Sequence, residues 1–241
     1  MSLAVTDSMD CGSNRRPATP ALFSLRRWQG RLLLLLVLLG PAWLVDRPLA
    51  ERNPRQYRIH TVEKWRDAAR QFGEPFCAIW LVLAIWFIEP SRRRPMVITL
   101  VGVLVAGLIG NGLKLAVGRE RPQVSDGHTV FRGPQWPGAM KPDASLPSGH
   151  TVSAFALAYG MSRVFPRGRG VFVFLAAACG ASRFLGETHF LTDVLAGAWV
   201  GWESARMVWD WGITKIFRWI DARIPVSAWY PRWNWDMSAP G

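Results

Sequence analysis

The sequence predicts an all-α integral membrane protein, built as one bundle of six transmembrane helices. Of the 241 residues, 50% are hydrophobic, and they are gathered into continuous runs and not spread at amphipathic spacing. Such runs are typical of membrane helices and not of a soluble domain. The charged residues fall mostly between and beside the runs, and several of the 14 tryptophans follow the last run, in a C-terminal tail that suits a membrane interface.

The formal net charge of +12 indicates an anionic partner. Nucleic acid is one such class, but the basic residues flank apolar runs, and this placement favours anionic headgroups or a phosphorylated substrate. We therefore expect a membrane and a phosphorylated lipid as partners, and no nucleic acid. Cys11, Cys77 and Cys179 have neither a disulfide pattern nor metal-ligand spacing, and the last two are expected to be small buried hydrophobic residues.

The chain is predicted to begin with a polar tail, 1–27, which is followed by a membrane domain, 28–220. A first membrane helix is predicted from Trp28 to Asp46, because the apolar core alone is short for a span of about 20 residues. A signal peptide is the competing interpretation, but no small-x-small cleavage site follows. Residues 46–74 are expected to form an interfacial loop whose amphipathic helix, 61–73, lies along the bilayer surface.

Five further apolar segments complete the predicted bundle. They are 75–88, 96–117, the run that follows His150, 171–185 and 190–211. A loop rich in Pro and Gly, 118–147, is too polar to cross a membrane, and 221–241 forms a C-terminal tail. Basic residues in the tails and in two turns, 92–94 and 163–169, place those parts in the cytoplasm by the positive-inside tendency. Three polar clusters then share the opposite, non-cytoplasmic face.

The cluster nearest the C-terminus is Ser182-Arg183-x5-His189-x3-Asp193. If a helix begins near Thr188, His189 and Asp193 share one helical face, and the carboxylate can accept a hydrogen bond from the imidazole. The other ring nitrogen is then free to act as a base or nucleophile. Such a pair is often only a local contact, but ionisable residues at the head of an apolar segment indicate a site. Arg183 is placed to hold an anion.

Two upstream clusters support this interpretation. Lys114 ends the third predicted helix, and Arg121-Pro122 follows after six residues, whereas Arg119 between them is expected to be an ordinary interfacial arginine. Pro147-Ser148-Gly149-His150 precedes the fourth helix. Proline and serine mark a helix start, glycine allows an anion to approach the backbone, and the free N–H groups of a helix N-terminus bind phosphate.

Together these groups fit a phosphoryl group, which preorganised donors and cations stabilise in its transition state. The groups that would bind its negatively charged oxygens are Lys114, Arg121, Arg183, Ser148 and the amides of Gly149 and His150. The sequence has no acidic cluster for Mg²⁺, so no metal or cofactor is expected. His189, oriented by Asp193, would attack phosphorus, and His150 would protonate the leaving oxygen and then activate water. Loop residues His128 and Lys141 are expected to matter much less.

In this order, Lys-x6-Arg-Pro, Pro-Ser-Gly-His and Ser-Arg-x5-His-x3-Asp resemble the three signature motifs of the type 2 phosphatidic acid phosphatase (PAP2) superfamily. Glucose-6-phosphatase and the vanadium haloperoxidases belong to the same superfamily. Each motif is moderately specific, and the complete set is very specific. The resemblance covers about 75–211, and the first 74 residues add little to it.

The resemblance implies a six-helix PAP2/haloperoxidase-like core and metal-independent dephosphorylation through a phosphohistidine. It implies that Lys114, Arg121, Ser148, Gly149 and Arg183 bind phosphate, that His150 is the acid, that His189 is the nucleophile and that Asp193 is its partner. One departure is Glu187-Thr188 before His189, where many members carry a small or apolar residue.

The sequence predicts a phosphatase that acts on a lipid phosphate monoester or diphosphate. Phosphatidate, phosphatidylglycerophosphate, polyprenyl diphosphate and lipid A phosphates all remain open, although His-Phe-Leu-Thr-Asp is similar to some lipid A 1-phosphatases. A vanadate-dependent haloperoxidase would be a soluble helical protein. A non-catalytic binding or scaffold protein would have lost at least one site residue. A transporter would have broken helices at the midplane, whereas the polar groups here gather at helix ends.

Overall fold

The structure is a computed structural model that describes residues 25–52, 60–134 and 144–212. These residues form seven α-helices and no β-strand, which confirms the all-α prediction for the described part. The helices are α1 (Leu25–Arg52), α2 (His60–Gln71), α3 (Pro75–Ile88), α4 (Arg93–Val117), α5 (Gly149–Val164), α6 (Arg169–Leu185) and α7 (Leu191–Met207). Short 3₁₀ turns join α3 to α4 and α5 to α6, and a π-helical turn, Val208–Gly212, continues α7.

Each of the six segments predicted to cross the membrane falls on a helix, namely α1 and α3 to α7. Within the described ranges, three helical stretches are long and apolar enough to cross a membrane: Gln29–Ala50, Pro90–Val117 and Pro166–Leu185. A fourth is added if α2 and α3, bent by 57° at their junction, form one broken span. Membrane character is therefore confirmed. The count of six stays a prediction, because α5 and α7 have only 16 and 17 residues.

The N-terminal segments differ in part from the prediction. Helix α1 continues to Arg52, so the expected interfacial loop does not begin at Asp46, which is buried within the helix. The predicted amphipathic helix is present as α2, but Trp65 is 73% exposed, whereas Phe72 packs against the core. The interfacial position of α2 stays a prediction. The early N-terminal tail, Cys11, Lys141 and the tryptophans of the C-terminal tail lie outside the described residues.

Helix α5 lies at the centre of the bundle and packs against α4, α6 and α7. The core includes Met96 and Ile98 of α4, Val152 and Leu157 of α5, and Val200 of α7, all of them buried. By contrast, α1, α3, α4 and α6 leave large apolar side chains exposed on their outer faces. In a bilayer such exposure carries little free-energy penalty, because lipid tails are as apolar as these side chains.

Two glycines on one face of α7 allow it to approach α5 closely. A Cβ on Gly197 would lie 2.8 Å from the carbonyl oxygen of Ser148, and one on Gly201 would clash with the carbonyl oxygen of Val152. Small residues four positions apart are a common means of close helix packing in membranes. One turn before Gly197, the Asp193 carbonyl accepts a hydrogen bond of 3.0 Å from the Ser148 amide. This packing therefore brings the second and third motifs together.

Candidate active site

The three motifs meet where α4 and α6 end and where α5 and α7 begin. Lys114 lies in the last turn of α4 and Arg183 in the last turn of α6, while His150 lies in the first turn of α5. The charges of Lys114 and Arg121 both act on His189, and the charge of Arg183 acts on Lys114 and His150. The structure thus brings the predicted cations and both predicted histidines into one site.

The backbone that follows α4 is fixed in a conformation that places Arg121 at the site. Gly118 ends the helix with φ +60°, a left-handed conformation that glycine adopts without strain. The backbone of 118–120 is then fixed on two sides: the Arg132 amide bonds to the Gly118 carbonyl at 3.0 Å, and the Ser145 amide bonds to the Arg119 carbonyl at 2.7 Å. These bonds also join the start of the loop to the residues just before the second motif.

The cations of the site have unused hydrogen-bonding capacity. The Nε atoms of Arg121 and Arg183 are both buried and have no hydrogen-bond partner among the described residues. Buried donors without partners are rare in proteins, and an anion between the two guanidinium groups would supply acceptors. Lys114 Nζ makes one long bond of 3.4 Å to the Ala144 carbonyl. A Cβ on Gly149 would lie 3.8 Å from that Nζ, so glycine leaves space beside the ammonium group.

The start of α5 supplies the neutral donors. Ser148 is fully buried, and its Oγ accepts a hydrogen bond of 2.9 Å from Thr151, which leaves its own hydroxyl hydrogen to donate elsewhere. The amides of Gly149 and His150 belong to the first turn of the helix, where N–H groups have no acceptor within the helix. The predicted donors therefore occupy one helix N-terminus, which favours an anion.

His189 and Asp193 are close, but not in the predicted way. Helix α7 begins at Leu191 and not near Thr188, so His189 precedes the helix. Its Nδ1 lies 3.7 Å from Asp193 Oδ2, which is too long for a hydrogen bond. The hydroxyl of Ser145 lies 3.2 Å from the same Nδ1 and donates a short hydrogen bond to Asp193 Oδ2. Ser145 therefore connects the imidazole to the carboxylate.

Arg119 contradicts the expectation of an interfacial arginine, because it is completely buried. Its guanidinium donates to Asp193 at 2.8 Å and to Asp46 of α1 at 2.9 Å, and its carbon lies 3.9 Å from the centre of the Phe190 ring. Two carboxylates and an aromatic face compensate for its desolvation. Asp46 also accepts the Thr192 amide at 3.1 Å, so α1 caps the N-terminus of α7.

Four residues that contact the site were not predicted from the sequence: Asp46, Glu74, Arg119 and Ser145. Glu74 lies 2.9 Å from His150 Nε2, and Asp46 lies on a predicted membrane helix. Both residues belong to the first 74, which add little to the family resemblance. A signal was available for these two acids, because each adjoins an apolar run, where an ionisable residue indicates a site. No sequence signal singled out Ser145.

His189 is nearly completely buried and borders a cavity. Burial lowers the pKa of His189 from 6.5 to about 4, against the opposing effect of Asp193, so the ring is neutral near pH 7. The cavity has a volume of about 340 Å³, and among the described residues its lining is apolar and acidic. Its lining residues are Asp46, Leu49, Ala50, Pro122, Asp126, Gly127, Phe184, Glu187, His189 and Phe190.

The segment between α6 and His189 is a tight turn. The Glu187 amide donates to the Phe184 carbonyl at 2.9 Å, and Glu187 itself has φ +56°, a conformation that is uncommon for a residue other than glycine. Its side chain borders the cavity beside His189. The acid that departs from the family pattern is therefore adjacent to the site. Among the described residues there is no group of three or more His, Cys, Asp or Glu side chains that could hold a metal ion.

Comparison with known proteins identifies relatives that are named as phosphatases. A "Lipid A 1-phosphatase" of Rhizobium johnstonii is 37% identical over 199 residues, which cover 74% of this chain and 78% of that protein. A "Decaprenylphosphoryl-5-phosphoribose phosphatase" of Mycobacterium tuberculosis is 33% identical over 132 residues, 54% of this chain and 69% of that one. Both relatives are named as phosphatases, in agreement with the predicted phosphoric monoester hydrolase.

A solved structure has the same fold. It is the crystal structure of a transmembrane PAP2 type phosphatidylglycerolphosphate phosphatase from Bacillus subtilis. The TM-score is 0.54, and the identity is 19% over 78% of this chain and 96% of that chain. At this identity the likeness concerns the fold alone. The sequence profile of the PAP2 superfamily matches residues 95–217, which include all three motifs. This match, together with the 37% identity to a phosphatase over most of both chains, shows that the chain belongs to the PAP2 superfamily.

Proposed function

We propose that this protein is a membrane phosphatase that removes phosphate from a lipid through a phosphohistidine on His189, without a metal ion. The observation that supports this most directly is the surroundings of His189. The ring is buried and neutral near pH 7, and it lies within the electrostatic influence of Lys114 and Arg121. Two buried guanidinium nitrogens, on Arg121 and Arg183, have no partner among the described residues. A phosphoryl group would satisfy these cations.

In the first step, the free ring nitrogen of His189 attacks phosphorus and the bond between phosphorus and the leaving oxygen breaks. His150 gives its proton to that oxygen, so the lipid leaves as a neutral alcohol. The imidazole of His189 gains positive charge, which Asp193 stabilises with the hydroxyl of Ser145 between them. The three cations and the α5 amides stabilise the charge on the transferring group.

In the second step, water attacks the phosphohistidine. His150, which is now neutral, takes a proton from this water as the bond between phosphorus and nitrogen breaks. Inorganic phosphate leaves, and His189 returns to its neutral form. No external reductant, oxidant or metal ion takes part in this cycle.

A lipid phosphate is the proposed substrate because the site lies at helix ends in a membrane protein. Among lipid phosphates we favour a lipid A type, on the basis of the Rhizobium johnstonii relative, which covers most of both chains. Phosphatidate, phosphatidylglycerophosphate and polyprenyl diphosphate are the alternatives. The apolar part of the cavity beside His189, formed by Leu49, Phe184 and Phe190, suits the organic part of such a molecule.

We further propose that six helices cross the membrane, with the site on the non-cytoplasmic face. Basic residues at 92–94 and 163–169 support this orientation. A cysteine introduced at Gly168 should react with a membrane-impermeant maleimide only after the cells are opened. Labelling of that cysteine in intact cells would contradict the orientation.

The purified protein is expected to release inorganic phosphate from at least one member of a panel of these four lipid phosphates. The rate should be unchanged in excess chelator, because cationic side chains take the role that a metal ion has in other phosphatases. The measurement is phosphate release with and without chelator, with a magnesium-dependent phosphatase as the positive control. A chelator-sensitive rate would contradict the mechanism. Binding of a lipid phosphate without phosphate release would favour a non-catalytic role.

The pKa of His189, about 4, predicts how phosphoenzyme formation depends on pH. The neutral ring is the nucleophile, so labelling by a radioactive aryl phosphate should persist from pH 7 to about pH 5 and decrease as the pH approaches 4. The free energy of unfolding depends on pH in the same direction. The contribution of the neutral buried ring to this free energy is complete above about pH 6.5 and is lost as the pH falls towards 4. A decrease in labelling centred near pH 6.5, with the protein still folded by tryptophan fluorescence, would contradict this assignment.

A further inference from the structure

We infer that Glu74, at the junction of α2 and α3, is a positioning residue for His150, so that both histidines of the site have a carboxylate behind them. This inference rests on the proposed function. Glu74 Oε1 lies 2.9 Å from His150 Nε2. Although Glu74 occupies the N-cap position of α3, its side chain makes no capping hydrogen bond, so its carboxylate is directed to the histidine and not to its own helix.

The backbone that carries Glu74 is fixed against the first turn of α5. A Cβ on Gly73 would clash with the His150 carbonyl oxygen and would lie 2.6 Å from Cys179 Sγ, so only glycine permits this approach. The Gly73 and Glu74 amides close a turn onto the last residues of α2, with bonds of 2.9 and 3.0 Å. Packing of the junction, and not chance side-chain contact, therefore places the carboxylate beside the ring.

The geometry assigns different tasks to the two ring nitrogens of His150. The Nε2–H group donates to Glu74, which leaves Nδ1 for the leaving oxygen in the first step and for water in the second. Two other charged groups act on the ring: Arg70, whose Nε lies 3.9 Å from the same Glu74 oxygen, and Arg183. Burial and the charges of Arg183 and Arg70 disfavour the cationic acid form of the imidazole, whereas Glu74 favours it. The carboxylate thus offsets part of their effect on the ring that acts as the acid.

A comparison of two substrates distinguishes a role of Glu74 in acid catalysis by His150 from a purely structural role. An alkoxide is a poor leaving group and needs a proton, whereas p-nitrophenolate leaves without one. Glu74→Gln keeps the size of the side chain and removes its charge. We expect this variant to lower kcat for dodecyl phosphate by about 10- to 100-fold, with little change in KM. On p-nitrophenyl phosphate the loss in kcat/KM, which reports the first step alone, should be less than about threefold, since this leaving group needs little general acid catalysis.

Two control variants complete the kinetic test. Glu89→Gln, at the other end of α3, removes an acid whose neighbour is Ser91 and should leave both rates unchanged. In a His150→Ala background, Glu74→Gln should have no further effect, because the carboxylate acts through that ring. Equal losses of kcat/KM on the two substrates, or additive losses in the double variant, would overturn the inference.

A measurement that needs no activity separates this inference from the proposed function. The chain has four histidines, so ¹⁵N NMR can assign the His150 ring by comparison with His150→Ala. We expect the Nε2–H tautomer in the wild type, with its proton resonance shifted downfield by the hydrogen bond to Glu74, and loss of that downfield shift in Glu74→Ala. If that tautomer is absent from the folded wild type, the inference is overturned even when the protein hydrolyses both substrates. If the tautomer is present but neither substrate is hydrolysed, the proposed function fails and the contact stands.

Discussion

Replacement of His189 by alanine is expected to lower phosphate release by about 10,000-fold or more, because the variant lacks the proposed nucleophile. The loss should appear in kcat at every pH between 5 and 8. Substrate binding should change much less, since Lys114, Arg121 and Arg183 would still hold the phosphate. The direct measurement is a rapid acid-free quench with a ³²P-labelled lipid phosphate. The wild type should retain label on the protein, and His189→Ala should retain none.

His128→Ala is the matched control for this experiment. His128 lies in the exposed loop between α4 and α5, and its backbone amide bonds to the Ser125 carbonyl at 2.8 Å. We expect this variant to keep nearly all of the activity and to form the phosphoenzyme at the wild-type rate. Labelled protein in His189→Ala, or an equal loss of activity in His128→Ala, would show that the nucleophile has been assigned wrongly.

The sequence was sufficient to predict which cations and histidines come together, because each lies at or near a helix end. Helix boundaries in this protein are marked by proline, glycine and charged residues, as in Pro147-Ser148-Gly149-His150. The structure places Lys114, Arg121, Arg183 and both histidines around one point. That convergence depends on α7 packing closely against α5, for which Gly197 and Gly201 provide the space. The sequence shows this pair of glycines, but it does not show which helix packs against them.

The sequence could not predict the groups that surround the site, because those contacts join distant parts of the chain. Arg119 looks like any basic residue at the end of a membrane helix, but its burial depends on Asp46, Asp193 and the Phe190 ring, which are distant in the sequence. The start of α7 was misplaced for a related reason. Asp193 Oδ2 accepts the Phe190 amide at 2.9 Å, which starts the helix at Leu191 and leaves His189 outside it. A spacing of four residues does not reveal which residue caps the helix.

The buried charges behind His189 give the second large prediction, which concerns stability. Arg119→Met replaces a fully buried guanidinium by a side chain of similar length and leaves Asp46 and Asp193 without their cation. Removal of one partner of a buried ion pair is expected to lower the free energy of unfolding by about 3–5 kcal/mol. Arg119→Lys should recover little of this loss, because one ammonium group cannot reproduce the planar contacts to two carboxylates. Denaturant unfolding in mixed micelles measures both variants.

Arg132 provides a control from the same loop, because it pairs with Glu120 and its side chain is 39% exposed. Arg132→Met should lower the free energy of unfolding by less than Arg119→Met does, because Arg132 is partly exposed and its removal leaves one carboxylate, and not two, without a cation. Asp46→Asn in the Arg119→Met background should recover part of the lost stability, since it removes one of the two unpaired buried charges. If Arg119→Met were no less stable than Arg132→Met, the buried ion pairs would not be what holds α1 and α7 together behind His189.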